Sequence, residues 1–268
     1  MTAVRPTVDE RGVATVVIDH PPINLVTVGV FFELAAEVER LAHDDSVRVV
    51  VFRSANPEWF LAHFDVEAIQ QFPREQPAPI EIGPYDQMCE TLRTMPKPTI
   101  AIIAGRVGGG GSEFALACDM RFATPDAIFG QPEVALGIIP GAGGTVRLPR
   151  LIGRSRALEV VLGCDDVDAD TAERWGWVNR VLPADRIDAF VDRLVGRIAS
   201  FPPDAVAAAK EMVVRSETGV VDDLLAETVA FNATLASDET QDRMQRFLDA
   251  GGQTPDGERR LGELAGEL

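Results

Sequence analysis

Residues 106–123 read RVGGGGSEFALACDMRFA, and this stretch decides how the surrounding chain folds. The glycines Gly108–Gly111 let the backbone turn sharply or approach a ligand closely, because glycine has no Cβ atom. Ser112 and Glu113 follow at the predicted start of a helix, and Phe114–Cys118 is apolar. We therefore predict a buried helix whose first N–H groups and one carboxylate face a place that suits an oxyanion. No Gly-Lys-Ser/Thr follows the glycines, which excludes a phosphate-binding P-loop.

The composition limits the classes of function. A chain of 268 residues, 46% of them hydrophobic, is long enough to bury a sizeable core. The formal net charge of −17 argues against partners that are themselves anionic, so we expect neither nucleic acid nor a membrane surface to bind. We find no signal peptide and no apolar run of roughly 18 residues. These features predict a cytoplasmic protein.

Cysteine and histidine are too few and too scattered to predict a metal site. The three cysteines cannot all pair, and neither they nor the three histidines show the spacing of metal ligands. We therefore expect reduced cysteines and no metal. The residues concerned are Cys89, Cys118, Cys164, His20, His43 and His63.

The hydrophobic pattern changes near residue 200. Strands and helices alternate over residues 1–200, which predicts an α/β core domain. Residues 201–268 are predicted to be helical, with a polar and frayed end at Gly251–Leu268. The predicted strands are Val13–Ile18, Val47–Phe52, Pro98–Ala104, Asp119–Ala123, Ala127–Phe129 and Val178–Val181; the predicted helices include Val30–Leu41, Asp86–Met95, Asp185–Ser200, Asp204–Glu217 and Val220–Ala236.

Two carboxylates lie next to glycine-rich turns. Taken singly, Glu113 could serve only the dipole of its helix, Glu133 could be a solvated surface charge, and Gly141–Gly144 could be a flexible turn. Taken together, one carboxylate could polarise a water while the other delivers a proton, with backbone N–H groups stabilising a negative oxygen. Spacing along the chain does not show whether these segments meet.

The motifs resemble those of the crotonase superfamily, the enoyl-CoA hydratase/isomerase family. The resemblance runs in order over roughly residues 10–215. It rests on Lys97–Ala101 (KPTIA), Gly109–Asp119 (GGGSEFALACD) with Arg121, Phe129–Glu133 (FGQPE), Gly137–Thr145 (GIIPGAGGT) and Gly176–Val181 (GWVNRV).

The resemblance implies a fold and a ligand. The fold would be a spiral of ββα units with a helical C-terminal region that covers the active site and helps oligomerisation, in a homotrimer or a dimer of trimers. The ligand would be an acyl-coenzyme A thioester, with no cofactor besides the coenzyme A of the substrate. The N–H groups of Phe64 and Gly110 would form an oxyanion hole for the thioester oxygen. Substrate-binding positions would be Ala62, His63, Asp65, Gly109 and Gly141.

The resemblance also implies roles for the two carboxylates. Glu113 would activate a water that adds to C3 of a 2-enoyl-CoA, and Glu133 would protonate C2. Gly141 would help to orient the water through its N–H. Hydratases of the family carry both glutamates, so a hydratase is the leading hypothesis. The alternatives are an enoyl-CoA isomerase, an acyl-CoA hydrolase or a non-catalytic acyl-CoA-binding relative.

The chain departs from the family at the first oxyanion turn. Where the family usually has Ala-Gly-Ala/Gly-Asp, this chain has Ala62-His63-Phe64-Asp65. A histidine does not adopt positive φ cheaply, so an altered turn is expected. Phe64 either narrows the acyl pocket or packs away from it. His63 is either a hydrogen-bonded structural residue or an extra acid/base group.

The C-terminal region departs as well. It lacks the basic segment with which the family commonly holds coenzyme A. Lys210, Arg243 and Arg246 are left as either phosphate partners or solvated charges.

Overall fold

The structure is a computed structural model that describes residues 2–268, in which ten strands, thirteen α-helices and one short 3-10 helix are formed. The strands are Val4–Val8 (β1), Val13–Ile18 (β2), Val49–Ser54 (β3), Trp59–Leu61 (β4), Thr99–Ile103 (β5), Arg106–Gly108 (β6), Met120–Ala123 (β7), Ile128–Gly130 (β8), Val167–Asp168 (β9) and Arg180–Val181 (β10).

The helices fill the segments between the strands and form most of the chain after residue 183. They are Val28–His43 (α1), Val66–Gln70 (α2), Pro84–Thr94 (α3), Gly109–Ala117 (α4), Gly144–Ile152 (α5), Arg154–Gly163 (α6), Ala169–Trp175 (α7), Ala184–Ala199 (α8), Pro203–Val214 (α9), Val220–Leu235 (α10), Asp238–Asp249 (α11), Pro255–Arg259 (α12) and Leu261–Glu267 (α13), with the 3-10 helix at Glu133–Leu136.

The strands form two sheets. The larger sheet has the order β1-β2-β3-β5-β7-β10 and is parallel except for the antiparallel edge strand β1. The smaller sheet has the order β4-β6-β8-β9, in which β4, β6 and β8 are parallel. The central strands are almost wholly apolar because both faces of a parallel sheet are covered.

Consecutive segments repeat one pattern. β3, β5 and β7 each lie in the larger sheet and are followed by β4, β6 and β8 in the smaller one, and then by α2, α4 and the 3-10 helix. The spiral of ββα units predicted from the sequence is confirmed. Among residues 2–268, no helix combines the length and the apolarity needed to span a bilayer.

The predicted start of the central helix was wrong. The helix α4 begins at Gly109, so the glycines form its first turn and Glu113 lies in the second. A Cβ atom at position 111 would lie 2.2 Å from the carbonyl oxygen of Ala62, so this turn packs against the segment after β4 without room for a side chain. The sequence pattern identified the glycines but not this neighbour.

The prediction of a frayed end at Gly251–Leu268 was also wrong. Two helices, α12 and α13, occupy it, and Leu261 and Leu264 join an apolar cluster with Phe247. Glu258 is 2% exposed. The sequence of this segment is polar because only a few apolar side chains hold it against the core. The buried ion pair between Glu258 and His63 adds a further contact.

Candidate active site

The ββα repeats bring the functional segments to one edge of the smaller sheet. β4, β6 and β8 are parallel neighbours, so their C-terminal ends lie side by side. Ala62–Asp65 follows β4, the glycine stretch follows β6, and Gln131–Glu133 follows β8. The segments meet because of the sheet order, which spacing along the chain does not reveal.

A cavity of about 380 Å³ opens at this edge. It is lined by most of the sequence-predicted site residues, namely His63, Phe64, Gly110, Glu113, Glu133 and Gly141. Ala62, Asp65 and Gly109 lie beside the cavity and do not line it. Asp65 instead caps α2 by accepting a hydrogen bond from the N–H of Glu67 at 3.0 Å. These three residues shape the surrounding backbone.

Two unpaired N–H groups, those of Phe64 and Gly110, belong to residues that line the cavity. Gly110 lies in the first turn of α4, where an N–H has no partner within the helix. A Cβ atom at position 110 would lie 3.3 Å from the Phe64 nitrogen. Neither N–H finds a hydrogen-bond acceptor among the residues that the structure describes. Both N–H groups are therefore left without a protein partner beside the cavity.

The backbone around Phe64 is fixed on both sides. The carbonyl oxygen of His63 accepts from the N–H of Val26 at 3.1 Å, and the N–H of Asp65 donates to the Val26 carbonyl at 3.1 Å. His63 is not among the residues with positive φ, so the turn carries a histidine without left-handed strain. The expected penalty for replacing glycine at this position does not arise.

The side chain of Phe64 forms part of the cavity wall. Its ring lies 6.1 Å from the rings of Phe72 and Tyr85, measured between centroids. Tyr85 also donates a 2.7 Å hydrogen bond to the carbonyl oxygen of Gly110. Phe64, which carries one of the unpaired N–H groups, therefore also forms an aromatic cavity wall with Phe72 and Tyr85.

Glu113 is held by the loop before α5. Its Oε1 accepts from the N–H groups of Ala142 and Gly144, both at 2.8 Å. Its Oε2 has no hydrogen-bond partner within residues 2–268. Burial raises the pKa of Glu113 well above its usual value, and the charges of Glu133 and Glu227 raise it further. Glu113 thus serves the N-terminus of a different helix, not its own dipole.

Glu133 is partly exposed as a residue, but its Oε2 is buried and has no hydrogen-bond partner among residues 2–268. Burial raises its pKa to about 7, although the charge of His63 lowers it. The charge of Glu133 is one of the causes that raise the pKa of Glu113, so ionisation of both carboxyl groups at once is unfavourable. The two N–H bonds favour an ionised Glu113, whereas the unpartnered Oε2 favours a neutral Glu133.

Comparison with known proteins identifies the family. The chain matches the family model described as enoyl-CoA hydratase/isomerase over residues 9–254. It belongs to this family.

Relatives in this hydratase/isomerase family resemble the chain over nearly its whole length. A short-chain-enoyl-CoA hydratase from Clostridium acetobutylicum is 31% identical over 90% of this chain and 92% of its own. A crotonyl-CoA hydratase from Syntrophomonas wolfei is 32% identical over 90% and 93%. A solved structure from Streptomyces avermitilis, described as a candidate enoyl-CoA hydratase, is 41% identical with a TM-score of 0.89, covering 99% of this chain and 97% of that one.

The sequence analysis missed a third glutamate near the cavity, Glu227. Glu227 accepts from the N–H groups of Gly143 at 2.6 Å and Thr145 at 2.9 Å, and also from the Thr145 hydroxyl. It therefore fixes the same loop that holds Glu113. The signal was present in the sequence, because Glu227 occupies the buried face of α10 between Leu224 and Phe231. An acidic residue on the apolar face of a helix indicates a hydrogen-bond partner on the segment that packs against that face.

A buried aspartate at the cavity was missed as well. Asp86 is 3% exposed, lines the cavity, and has an Oδ1 atom without a hydrogen-bond partner. Burial raises its pKa to about 7, although Arg147 lowers it. No pattern in the sequence of α3 distinguishes this residue from a surface acid.

The three cations considered for coenzyme A phosphates already have partners in the protein. The Lys210 ammonium lies 2.7 Å from an Asp119 carboxylate oxygen and donates to two carbonyl oxygens. Arg243 pairs with Glu239 and donates to a carbonyl oxygen, while Arg246 donates to the carbonyl oxygen of Leu268. The structure favours the structural alternative most clearly for Lys210.

Proposed function

We propose that this protein is an enoyl-CoA hydratase, which adds water across the 2,3 double bond of a 2-enoyl-CoA. The observation that carries the proposal is one cavity that holds two carboxylates of different hydrogen bonding beside two unpaired N–H groups. The two hydratases named above, similar over nine-tenths of the chain, support the same reaction.

The proposed mechanism assigns one task to each group. The N–H groups of Phe64 and Gly110 donate to the thioester oxygen and stabilise the enolate that forms when C3 is attacked. Glu113 accepts a proton through Oε2 from a water that the Gly141 N–H orients, and the water oxygen bonds to C3. Glu133 then gives its proton to C2. The proton gained by Glu113 returns to Glu133 before the next turnover.

The surrounding residues have positioning tasks in this proposal. Ala62, Asp65 and Gly109 shape the backbone on which the thioester lies, and His63 contributes to the cavity wall. Addition of water is not a redox reaction, so we propose no cofactor besides the coenzyme A of the substrate. We also propose a cytoplasmic setting, which the three free, buried cysteines support.

The first test is the hydration of crotonyl-CoA, followed by loss of the absorbance of the conjugated thioester. We expect turnover by the wild type and a loss of kcat of at least about 100-fold in both Glu113→Gln and Glu133→Gln. Glu267→Gln, a surface change of the same chemistry, is the matched control and should leave kcat unchanged.

Other outcomes would redirect the proposal. No hydration, together with conversion of a 3-enoyl-CoA into a 2-enoyl-CoA that depends on only one of the two glutamates, would indicate an isomerase. Release of free coenzyme A would indicate a hydrolase. Binding of the thioester without any turnover would contradict the hydratase assignment and favour a non-catalytic acyl-CoA-binding protein.

A further inference from the structure

A buried ion pair lies directly behind the oxyanion turn. The side chains of His63 and Glu258 are 6% and 2% exposed, and the ring Nε2 lies 3.0 Å from Glu258 Oε1. The other ring nitrogen, Nδ1, lies 2.8 Å from the carbonyl oxygen of Phe64. Both ring nitrogens thus face oxygen atoms, and a carbonyl oxygen only accepts hydrogen bonds. This arrangement fits an imidazolium that donates at both ends.

The pair connects two distant parts of the chain. Glu258 Oε1 also accepts from the N–H of Gln253 at 2.9 Å, and Gln253 Oε1 accepts from the N–H of Val66 at 2.6 Å. The segment before and within α12 is therefore tied to the turn at two points. The ring of Phe247 covers His63 edge-on at 5.6 Å between centroids. The turn that carries the Phe64 N–H is thus held from behind by the C-terminal helices.

The charged groups around the ring support an imidazolium. Burial alone would lower the pKa of His63, but Glu258 and Glu133 raise it to about 9. The pKa of Glu258 is lowered by His63, by the Gln253 N–H and by Arg106, against the effect of burial. A Cβ atom at position 109 would touch both Glu133 Oε1, at 2.7 Å, and His63 Cβ, at 2.8 Å. One glycine therefore separates the positive ring from the proposed proton donor.

We propose that His63 and Glu258 form a positioning pair, which holds the Phe64 peptide for the thioester oxygen and places a positive charge beside Glu133. The proposal rests on the hydratase function proposed above. Neither residue transfers a proton in it, because both nitrogens of the His63 ring are occupied by protein partners. The Ala62–Asp65 turn, which departs from the family pattern, is thereby held in place by the pair of His63 and Glu258.

The kinetic test compares His63→Gln and Glu258→Gln with the control Glu267→Gln, which removes a paired carboxylate from the same C-terminal segment. We expect kcat for crotonyl-CoA to fall about 10- to 100-fold in both variants at the pair, with KM changed less than about threefold, because the Phe64 N–H matters most when the enolate forms. The double variant should lose no more than the worse single variant.

The pH profile separates a positioning role from a merely structural one. Loss of the imidazolium raises the pKa of Glu133. The carboxyl groups of Glu113 and Glu227, on neighbouring elements, also interact electrostatically with Glu133. The alkaline limb of the kcat profile should therefore move to higher pH in His63→Gln, where Glu258 has lost its positively charged partner. A structural role alone would lower the thermal midpoint and leave this limb in place, and that result would overturn the proposal.

A measurement on the unaltered protein does not depend on activity or on the folding of variants. The ring nitrogens of His63, identified by their loss in His63→Gln, can be followed by nitrogen NMR. Both should remain protonated at pH 8, where a free imidazole, with a pKa of about 6.5, is neutral. A neutral ring at pH 8 would refute the pair. An imidazolium in a protein that does not hydrate crotonyl-CoA would leave the pair standing and refute the proposed function.

Discussion

At the scale of single residues, the properties of the two carboxylates depend on which of them accepts hydrogen bonds from the backbone. Glu113 and Glu133 both line the cavity, but Glu113 Oε1 accepts from two backbone N–H groups, whereas the buried Glu133 Oε2 has no hydrogen-bond partner among the described residues. The same residue type is thereby given two different hydrogen-bonding environments. The difference lies in the loop before α5, not in the carboxylates themselves.

The raised pKa of Glu133 predicts a pH-dependent stability. Between its unfolded value of about 4.5 and its folded value of about 7, the native state keeps a proton that the unfolded chain releases, so stability falls as pH rises through this range. Glu133→Gln lacks this titration. It should gain roughly 1–3 kcal/mol of unfolding free energy relative to wild type between pH 5 and pH 8.

Urea unfolding at the two pH values measures this difference. Glu267→Gln, at the surface, should show no such gain. An equal difference between Glu133→Gln and wild type at both pH values would mean that Glu133 is ionised throughout.

At the scale of elements, the α12 helix decides whether the C-terminal segment is docked. Gly257 is buried, and a Cβ atom there would lie 2.1 Å from the carbonyl oxygen of Gly251. Since a backbone atom causes this clash, the helix has to shift as a whole. Glu258 would shift with it, away from His63.

Gly257→Ala should therefore lower both thermal stability and kcat, the latter by about tenfold or more. Gly266→Ala is the matched control, because position 266 lies in α13 with nothing within 4 Å of a Cβ atom. It should keep full activity and gain a little stability from the better helix former. Equal activity in the two variants would show that the docking of α12 is irrelevant to the turn.

Element boundaries also show what could be predicted from the sequence. β2 was predicted to the residue because six apolar or β-branched residues are bounded by clear turn signals. The start of α4 was misplaced, because its glycines are helical only where Ala62 packs against them. Glu258 was missed because its partner, His63, is 195 residues away. Local patterns predicted the elements, whereas contacts between distant segments remained hidden.

At the scale of the whole molecule, one helix has no buried face. The α9 helix contains no buried residue in the single chain, and Met212 and Val213 are 55% and 72% exposed. A helix with exposed apolar side chains favours burial against another surface. This favours association of several chains, and we propose the homotrimer, or dimer of trimers, that the family resemblance implies. The division at residue 200 remains a prediction.

Light scattering with size-exclusion chromatography tests the assembly. We expect a mass of three or six chains for wild type and a smaller assembly for Val213→Asp, because a charge at a buried interface is costly. Glu211→Gln on the same helix is a control outside the apolar positions and should not alter the mass. A monomeric wild type would refute the proposal.

The link between His63 and Glu258 has a consequence for biosynthesis. During translation the turn leaves the ribosome long before its partner, which follows 195 residues later. The ββα repeats leave the ribosome before α12, so their strands are available for pairing earlier. The turn, however, stays without its charged partner until α12 arrives. On the positioning role proposed above, a nascent chain that already has its core would position the Phe64 N–H only once α12 has docked.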